Sequence, residues 1–119
     1  MTGMRTLVTR SFTFEAAHQL PWHPGKCRDL HGHGYRLEVT VEGPIGPQGI
    51  VIDFADVAAV VQREILVRYD HVYLNDLIDN PTAELIAHDI CKSLEAAGLA
   101  VARVRLWETD DCMVEVTPE

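Results

Sequence analysis

Two segments that alternate between apolar and polar residues constrain the fold of this chain more than any other feature. In residues 8–18 the even-numbered positions form a largely apolar face, and in residues 31–41 the odd-numbered positions do the same. A period of two is typical of a β-strand with one buried face. If the two strands pair antiparallel across residues 19–30, the end of the first strand lies beside the start of the second.

Three histidines fall at this shared end. His18 closes the first segment on its apolar face, and His31 and His33 open the second on its apolar face. A packed or surface position is the simpler interpretation of any one of them, but imidazoles buried together are costly unless they are hydrogen-bonded or bind a metal. Three histidine ligands leave one position open on a tetrahedral zinc ion, as in catalytic sites. We therefore predict a zinc site.

Cys27 lies in the connecting loop between two basic residues, Lys26 and Arg28. Positive neighbours stabilise a thiolate, which is the reactive form of cysteine. We predict a catalytic thiol, and the alternative is a fourth zinc ligand that closes the metal site. The two remaining cysteines are expected to be structural: Cys91 and Cys112.

Two further groups are candidates for binding or acid–base chemistry. In Asp70-His71 a carboxylate could orient an imidazole for proton transfer, although adjacent loop residues often have no such role. Glu108 follows Val104 and Leu106 on the face of a predicted strand that should be buried. There it could accept parallel hydrogen bonds from a ring N–H and an exocyclic amine, or it could simply turn to solvent at the strand end. Two other histidines are expected at the surface or in packing: His23 and His88.

The middle of the chain predicts two helices. The first begins after Asp53, which acts as its N-cap, and continues to about residue 68. Residues 69–79 are expected to form a loop. The second helix begins with Asn80 as cap and Pro81 at the first helical position, and it ends at Gly98.

A closing hairpin of residues 101–108 and 112–117 completes the predicted fold. The order is strand, strand, helix, helix, strand, strand. This order predicts an α+β protein with a four-stranded antiparallel sheet and two helices on one face. We expect one domain over residues 1–119.

Composition limits the classes of partner. The net charge of −8 disfavours nucleic acid, whose binders present basic surfaces. We find no apolar run long enough for a membrane span and no signal-peptide core, so we expect a cytoplasmic protein without membrane attachment. An odd number of cysteines without a secretion signal makes a disulfide framework improbable.

Together these motifs resemble the 6-pyruvoyl-tetrahydropterin synthase superfamily, and most closely its 6-carboxytetrahydropterin synthase branch. The matching stretches occur in the family's order along nearly the whole chain: FEAAH (14–18), CRDLHGH (27–33), GIVIDFAD (49–56), DHVYLND (70–76), NPTAE (80–84) and ET (108–109). The three residues between Cys27 and His31 fit the carboxy branch, since the pyruvoyl branch usually has a longer gap. A third branch, which forms a hydroxymethyl pterin, typically carries glutamate in place of the cysteine. Tyr69 departs from the aliphatic residue that usually precedes Asp-His.

The resemblance implies the tunnelling fold (T-fold) and a role for each site residue. Zinc would be bound by His18, His31 and His33. Cys27 would be the catalytic residue that transfers a proton, with support from Asp70 and His71. Glu108 would anchor the pterin ring, with Thr109 beside it.

The resemblance also implies the reaction and the assembly. The expected enzyme is a zinc-dependent carbon–carbon lyase that converts 7,8-dihydroneopterin triphosphate to 6-carboxy-5,6,7,8-tetrahydropterin, acetaldehyde and triphosphate. Its product would enter biosynthesis of queuosine or another 7-deazapurine, and Lys26 and Arg28 could contact the phosphates. Trimers stacked in pairs as a homohexamer would share their sites between subunits. The alternatives are 6-pyruvoyl-tetrahydropterin synthase activity on the same substrate and a non-catalytic zinc-binding module.

Overall fold

The centre of the protein is the predicted pair of long strands. The computed structural model describes residues 3–119. In it β1 (Leu7–His18) and β2 (His31–Glu42) run antiparallel, with Leu7 opposite Glu42 and His18 opposite His31. The predicted hairpin and its register are therefore confirmed.

Three further strands complete the sheet. A two-residue strand, β3 (Val72–Tyr73), pairs parallel to β1, while β4 (Val101–Thr109) pairs with β2 and with β5 (Cys112–Val116). The order across the sheet is β3-β1-β2-β4-β5. The predicted four-stranded antiparallel sheet is thus wrong, because the sheet is five-stranded and mixed. The segment predicted as a loop contains β3, which is too short to leave a periodic pattern in the sequence.

The first helix begins where the sequence predicts. The Asp53 side chain caps α1 (Phe54–Val61) by accepting a hydrogen bond from the Ala55 backbone N–H at 2.8 Å. A π-helical turn (Gln62–Leu66) and α2 (Val67–Tyr69) continue the same helical segment. A carboxylate cap satisfies a backbone donor that would otherwise lack a partner, so the prediction of this boundary from one residue is confirmed.

The second helix, α3 (Ala83–Ala96), begins two residues later than predicted. Its N-cap is Thr82, whose hydroxyl accepts from the Leu85 N–H at 3.2 Å, and not Asn80. The Asn80 side chain instead accepts a hydrogen bond of 2.7 Å from the Trp22 indole. Gly98 follows the helix with φ +98°, a left-handed conformation that glycine adopts without strain, so the predicted C-terminal boundary is confirmed.

The core lies between the helices and one face of the sheet. Helix side chains such as Val57, Val61, Ile86 and Ile90 are fully buried there. They pack with the alternating apolar residues of the strands, including Phe14, Leu37, Val39, Val104 and Leu106. Within residues 3–119 no helix has the length and apolar character that a membrane crossing requires.

Candidate metal centre and active site

Strand pairing brings the three predicted histidines together at the end of the β1–β2 hairpin. His18 and His31 are direct cross-strand partners, and their Nε2 atoms lie 3.0 Å apart. The ring of His33 has its centroid 5.1 Å from that of His18 and 4.8 Å from that of His31. Because alternate residues of a strand point to the same face, all three rings lie on the core side of the sheet.

Backbone carbonyls fix the orientation of two of these rings. His18 Nδ1 donates a hydrogen bond of 2.8 Å to the Pro81 carbonyl, and His31 Nδ1 donates one of 2.7 Å to the Asp29 carbonyl. A carbonyl can only accept, so in the neutral rings Nδ1 carries the hydrogen and Nε2 carries a lone pair. This is the arrangement that orients histidine ligands of metals.

The lone pairs indicate that this site fits a cation. Two Nε2 lone pairs that face each other at 3.0 Å repel unless a proton or a metal ion lies between them. The third nitrogen, His33 Nε2, is buried, and its polar neighbour is a carboxylate oxygen 3.0 Å away, which has no hydrogen to donate when ionised. Burial also lowers the pKa of His33, which favours the neutral ring that a metal requires. The donor set of nitrogens suits zinc.

Glu108 joins this cluster. Its Oε1 lies 3.0 Å from His33 Nε2 and 3.3 Å from His18 Nε2. A register shift between Trp107 and Thr109 places Glu108 at an irregularity in the β4–β5 pairing. The hydrogen bond to His18 lowers the pKa of the Glu108 carboxyl although its partial burial opposes this. For His18 the balance differs: burial lowers its pKa, but the bonds to Glu108 and Pro81 outweigh burial and leave the pKa raised.

The cluster could therefore hold a metal ion with up to four protein ligands. One donor atom from each of His18, His31, His33 and Glu108 lies within 4.8 Å of the others. We did not predict the contact of Glu108 with the histidines, because a strand irregularity leaves no periodic signal in the sequence. Thr109, which is predicted to lie beside a pterin, is at the exposed turn between β4 and β5. Its hydroxyl donates a hydrogen bond of 3.0 Å to the Asp111 carboxylate.

Cys27 lies in the loop between β1 and β2, outside the cluster. It occupies a short 3₁₀ turn (Lys26–Arg28) and is half-buried, and its carbonyl accepts a hydrogen bond of 2.8 Å from the Leu20 N–H. Among the described residues its sulfur is not one of the clustered donor atoms. The geometry therefore disfavours Cys27 as a ligand that closes the site. Lys26 and Arg28 are exposed beside it.

Asp70 and His71 contact each other, but they lie outside the histidine cluster. His71 Nδ1 lies 3.0 Å from Asp70 Oδ1. The same carboxylate oxygen accepts a hydrogen bond of 2.9 Å from the Glu15 backbone N–H. That backbone hydrogen bond and the neighbouring imidazole lower the pKa of Asp70. His71 adopts φ +60°, which is uncommon for a residue other than glycine, and its side chain is 77% exposed.

The structure does not bring this pair to Cys27. His71 lines an open groove of about 500 Å³ together with Val72 and Tyr73. Four strand residues of that groove alternate with the histidines and so belong to the opposite face of the sheet: Glu15, Ala17, Gly32 and Gly34. His33 and Ala16 also line the groove, so it reaches the strand positions of the cluster. In the described part of the chain no hydrogen bond or ion pair joins His71 to Cys27 or to the three histidines.

The remaining histidines and cysteines lie outside the cluster. His23 packs against Trp22, and its ring accepts a hydrogen bond from the Gly25 N–H at 2.9 Å. His88 is exposed on α3. Cys91 is buried in the core and Cys112 is exposed, and both are free thiols.

Comparison with known proteins agrees with this fold. The family model of 6-pyruvoyl tetrahydropterin synthase matches residues 7–119. A putative 6-carboxy-5,6,7,8-tetrahydropterin synthase of Archaeoglobus fulgidus is 40% identical over 92% of this chain and 94% of its own length. The 6-carboxy-5,6,7,8-tetrahydropterin synthase of Synechocystis sp. is 43% identical over 78% of both chains.

Among solved structures, 6-pyruvoyl tetrahydropterin synthase of Caenorhabditis elegans superposes with a TM-score of 0.86 at 22% identity. The superposition covers 98% of this chain and 97% of that one. At this level of identity the likeness shows the fold alone, which is the T-fold. The family model and the two sequence relatives extend the agreement to nearly the whole chain. This chain therefore belongs to the 6-pyruvoyl tetrahydropterin synthase family.

Proposed function

We propose that this protein is a zinc-dependent 6-carboxytetrahydropterin synthase. Its substrate would be 7,8-dihydroneopterin triphosphate, and its products 6-carboxy-5,6,7,8-tetrahydropterin, acetaldehyde and triphosphate. The observation that carries the proposal is the convergence of three imidazole Nε2 atoms, with the free thiol of the connecting loop outside the donor set. Family membership supports a pterin synthase, and the spacing of Cys27 and His31 favours the carboxy product.

His18, His31 and His33 would hold the zinc ion. A bound zinc ion would supply Lewis-acid chemistry, lowering the pKa of hydroxyl groups on the substrate side chain. The carbonyls of Pro81 and Asp29 keep two of the three rings in the binding tautomer. These hydrogen bonds to backbone carbonyls would therefore support the metal site without contacting the ion.

Cys27 would act as the acid–base group that moves a proton of the substrate side chain. A thiolate on the loop that leads into His31 would suit this role, and Lys26 and Arg28 provide positive charge nearby for the thiolate or for phosphates. Elimination of triphosphate and carbon–carbon cleavage would follow.

Asp70 and His71 would act at the site of a neighbouring subunit. Within one chain no described hydrogen bond or ion pair joins them to Cys27 or to the histidines, and the His71 imidazole is exposed at the groove. In a homo-oligomer, such as the trimer or hexamer implied by the resemblance, His71 of one copy could complete the Cys27 site of the next. Asp70 would hold the ring, since its oxygen is fixed by Glu15.

Mixing two inactive variants tests this sharing of sites. Cys27→Ala and His71→Ala subunits, unfolded and reassembled together, should regain up to about a quarter of the wild-type activity if each site uses two chains. Mixed assemblies that stay inactive would contradict the shared site.

Glu108 would contact the pterin through one carboxylate oxygen. Oε1 already lies within 3.3 Å of two ligand nitrogens, so Oε2 is the oxygen available to a ring N–H or exocyclic amine. The same contact favours a second candidate function. If Oε1 binds the metal as a fourth ligand, the site is closed and the protein is a non-catalytic zinc module.

The deciding experiment is an assay of the zinc-loaded protein with 7,8-dihydroneopterin triphosphate. Acetaldehyde and 6-carboxytetrahydropterin in equal amounts would support the proposal. A 6-pyruvoyl product without acetaldehyde would support the related synthase activity. No turnover, together with a cobalt-substituted spectrum that ligands such as cyanide leave unchanged, would support the closed zinc module.

A further inference from the structure

Two tyrosines are fully buried in this core, but only one has a hydrogen-bond partner for its hydroxyl. Tyr35 and Tyr69 both pack on Phe14, with ring centroids 5.0 Å and 5.8 Å from it. The Tyr69 hydroxyl donates to the Asp89 carboxylate. The Tyr35 hydroxyl has no hydrogen-bond partner among residues 3–119.

Tyr35 lies beside the metal cluster. It follows His33 by two residues on the same face of β2, and its ring centroid is 5.5 Å from that of His33 and 6.2 Å from that of His18. The pairing of Arg36 with Trp107 places Tyr35 next to Glu108 on β4. Tyr35 therefore lies beside two of the cluster rings and beside the strand position of Glu108.

The unpartnered hydroxyl points to a ligand. A buried hydroxyl group without a partner destabilises a protein, and phenylalanine would fill the same space without that penalty. Packing alone thus does not explain a tyrosine at this position. The neutral histidine rings and the Glu108 carboxylate surround the site. A phenol O–H next to them would donate a hydrogen bond to an oxygen of the ligand that carries negative charge.

We propose that the Tyr35 hydroxyl is a further catalytic residue, which donates a hydrogen bond to the side-chain oxygen of the bound substrate where negative charge develops. This inference rests on the proposed function. The donor would belong to the buried core of the same chain, and not to the Cys27 loop or to a neighbouring subunit. No bond is broken by the donor, because it only stabilises the oxygen while Cys27 moves the proton.

The test compares Tyr35→Phe with Tyr69→Phe, which removes the partnered hydroxyl of the other buried tyrosine. With zinc loaded, Tyr35→Phe should keep full metal content and a melting temperature equal to or above that of the wild type. Its kcat should fall by about 10- to 100-fold, as expected for loss of one donor to a developing oxyanion. Tyr69→Phe should melt at a lower temperature and keep kcat within about twofold, because it removes one hydrogen bond to Asp89, which lies outside the metal cluster and keeps its ion pair with Arg68.

Binding gives a readout that does not depend on turnover. In a Cys27→Ala background, adding Tyr35→Phe should weaken the binding of 7,8-dihydroneopterin triphosphate by at least about threefold in calorimetry. Tyr69→Phe in the same background should leave the affinity unchanged.

The possible failures are distinguishable. A wild-type protein that neither binds nor converts the substrate rejects the proposed function together with this inference. Wild-type turnover with an equally active Tyr35→Phe variant rejects the inference alone. A lower melting temperature of Tyr35→Phe with unchanged kcat would also reject it, because the hydroxyl would then have a structural partner.

Discussion

Removing one histidine of the cluster tests the metal centre most directly. His31→Ala deletes one of the two Nε2 atoms that face each other at 3.0 Å, and with it the hydrogen bond to the Asp29 carbonyl. We expect the variant to lose zinc. Without metal it should lose only the small contribution of that exposed hydrogen bond, about 0.5–1.5 kcal/mol, because the opposed lone pairs are also removed.

The size of the zinc effect follows from linkage. A ligand at one hundred times its Kd stabilises the folded state by about 2.7 kcal/mol. A chain of 119 residues unfolds near 60 °C with an entropy of about 0.25 kcal/mol/K. Zinc at that concentration should therefore raise the Tm of the wild type by about 11 °C, and it should not raise the Tm of His31→Ala.

The assay is a thermal melt with and without zinc, combined with metal analysis of the purified protein. His23→Ala is the matched control, because His23 lies outside the cluster and contacts Trp22 and Gly25. This control should bind zinc and show the full rise in Tm. A His31→Ala protein with one zinc per chain and the wild-type rise would refute the ligand set.

Three further predictions concern residues around the metal. Cys27→Ala should abolish turnover and keep full zinc content in metal analysis, since its sulfur lies outside the donor cluster; loss of zinc would make it a ligand. Glu108→Ala should weaken pterin binding by about 2–5 kcal/mol in calorimetry if its carboxylate contacts the ring, and an unchanged affinity would reject that role. The pKa of Asp70 is lowered in the folded state by the Glu15 N–H and then by His71, so its stabilising contribution is present above the unfolded-state pKa and is lost as the pH falls through the folded-state pKa. Urea unfolding should therefore show a larger destabilisation by Asp70→Asn at pH 7 than in strong acid, and an equal loss at both would contradict the shift.

The proposed sharing of sites between subunits rests on the separation of the Asp70–His71 pair from the imidazole cluster. Asp70 and His71 adjoin Glu15, whereas the imidazoles alternate with Ala17 and Gly32 on the other face. Within one chain no described hydrogen bond or ion pair joins the pair to the three histidines. If the pair takes part in catalysis with Cys27, oligomerisation is therefore a requirement for activity and not only for stability. Dilution or interface variants that yield monomers would then lose turnover while retaining zinc.

Local patterns in the sequence determined much of this protein. The period of two in residues 8–18 and 31–41 specified the central hairpin, and a hairpin with that register necessarily brings His18 to His31. Asp53 and Gly98 marked helix ends because capping depends on one side chain or one backbone conformation. Such signals are local, so a single sequence contains them.

Only the tertiary structure decided the features that depend on packing between distant segments. The two-residue strand β3 forms because β1 offers an edge to Val72, and Thr82 caps α3 because Asn80 and Pro81 are engaged by Trp22 and His18. The contact of Glu108 with the histidines, the separation of His71 from Cys27 and the unpartnered Tyr35 hydroxyl have the same origin. Each of these features depends on which segment of the chain lies opposite another in the folded protein. A periodic pattern along the sequence does not contain that information.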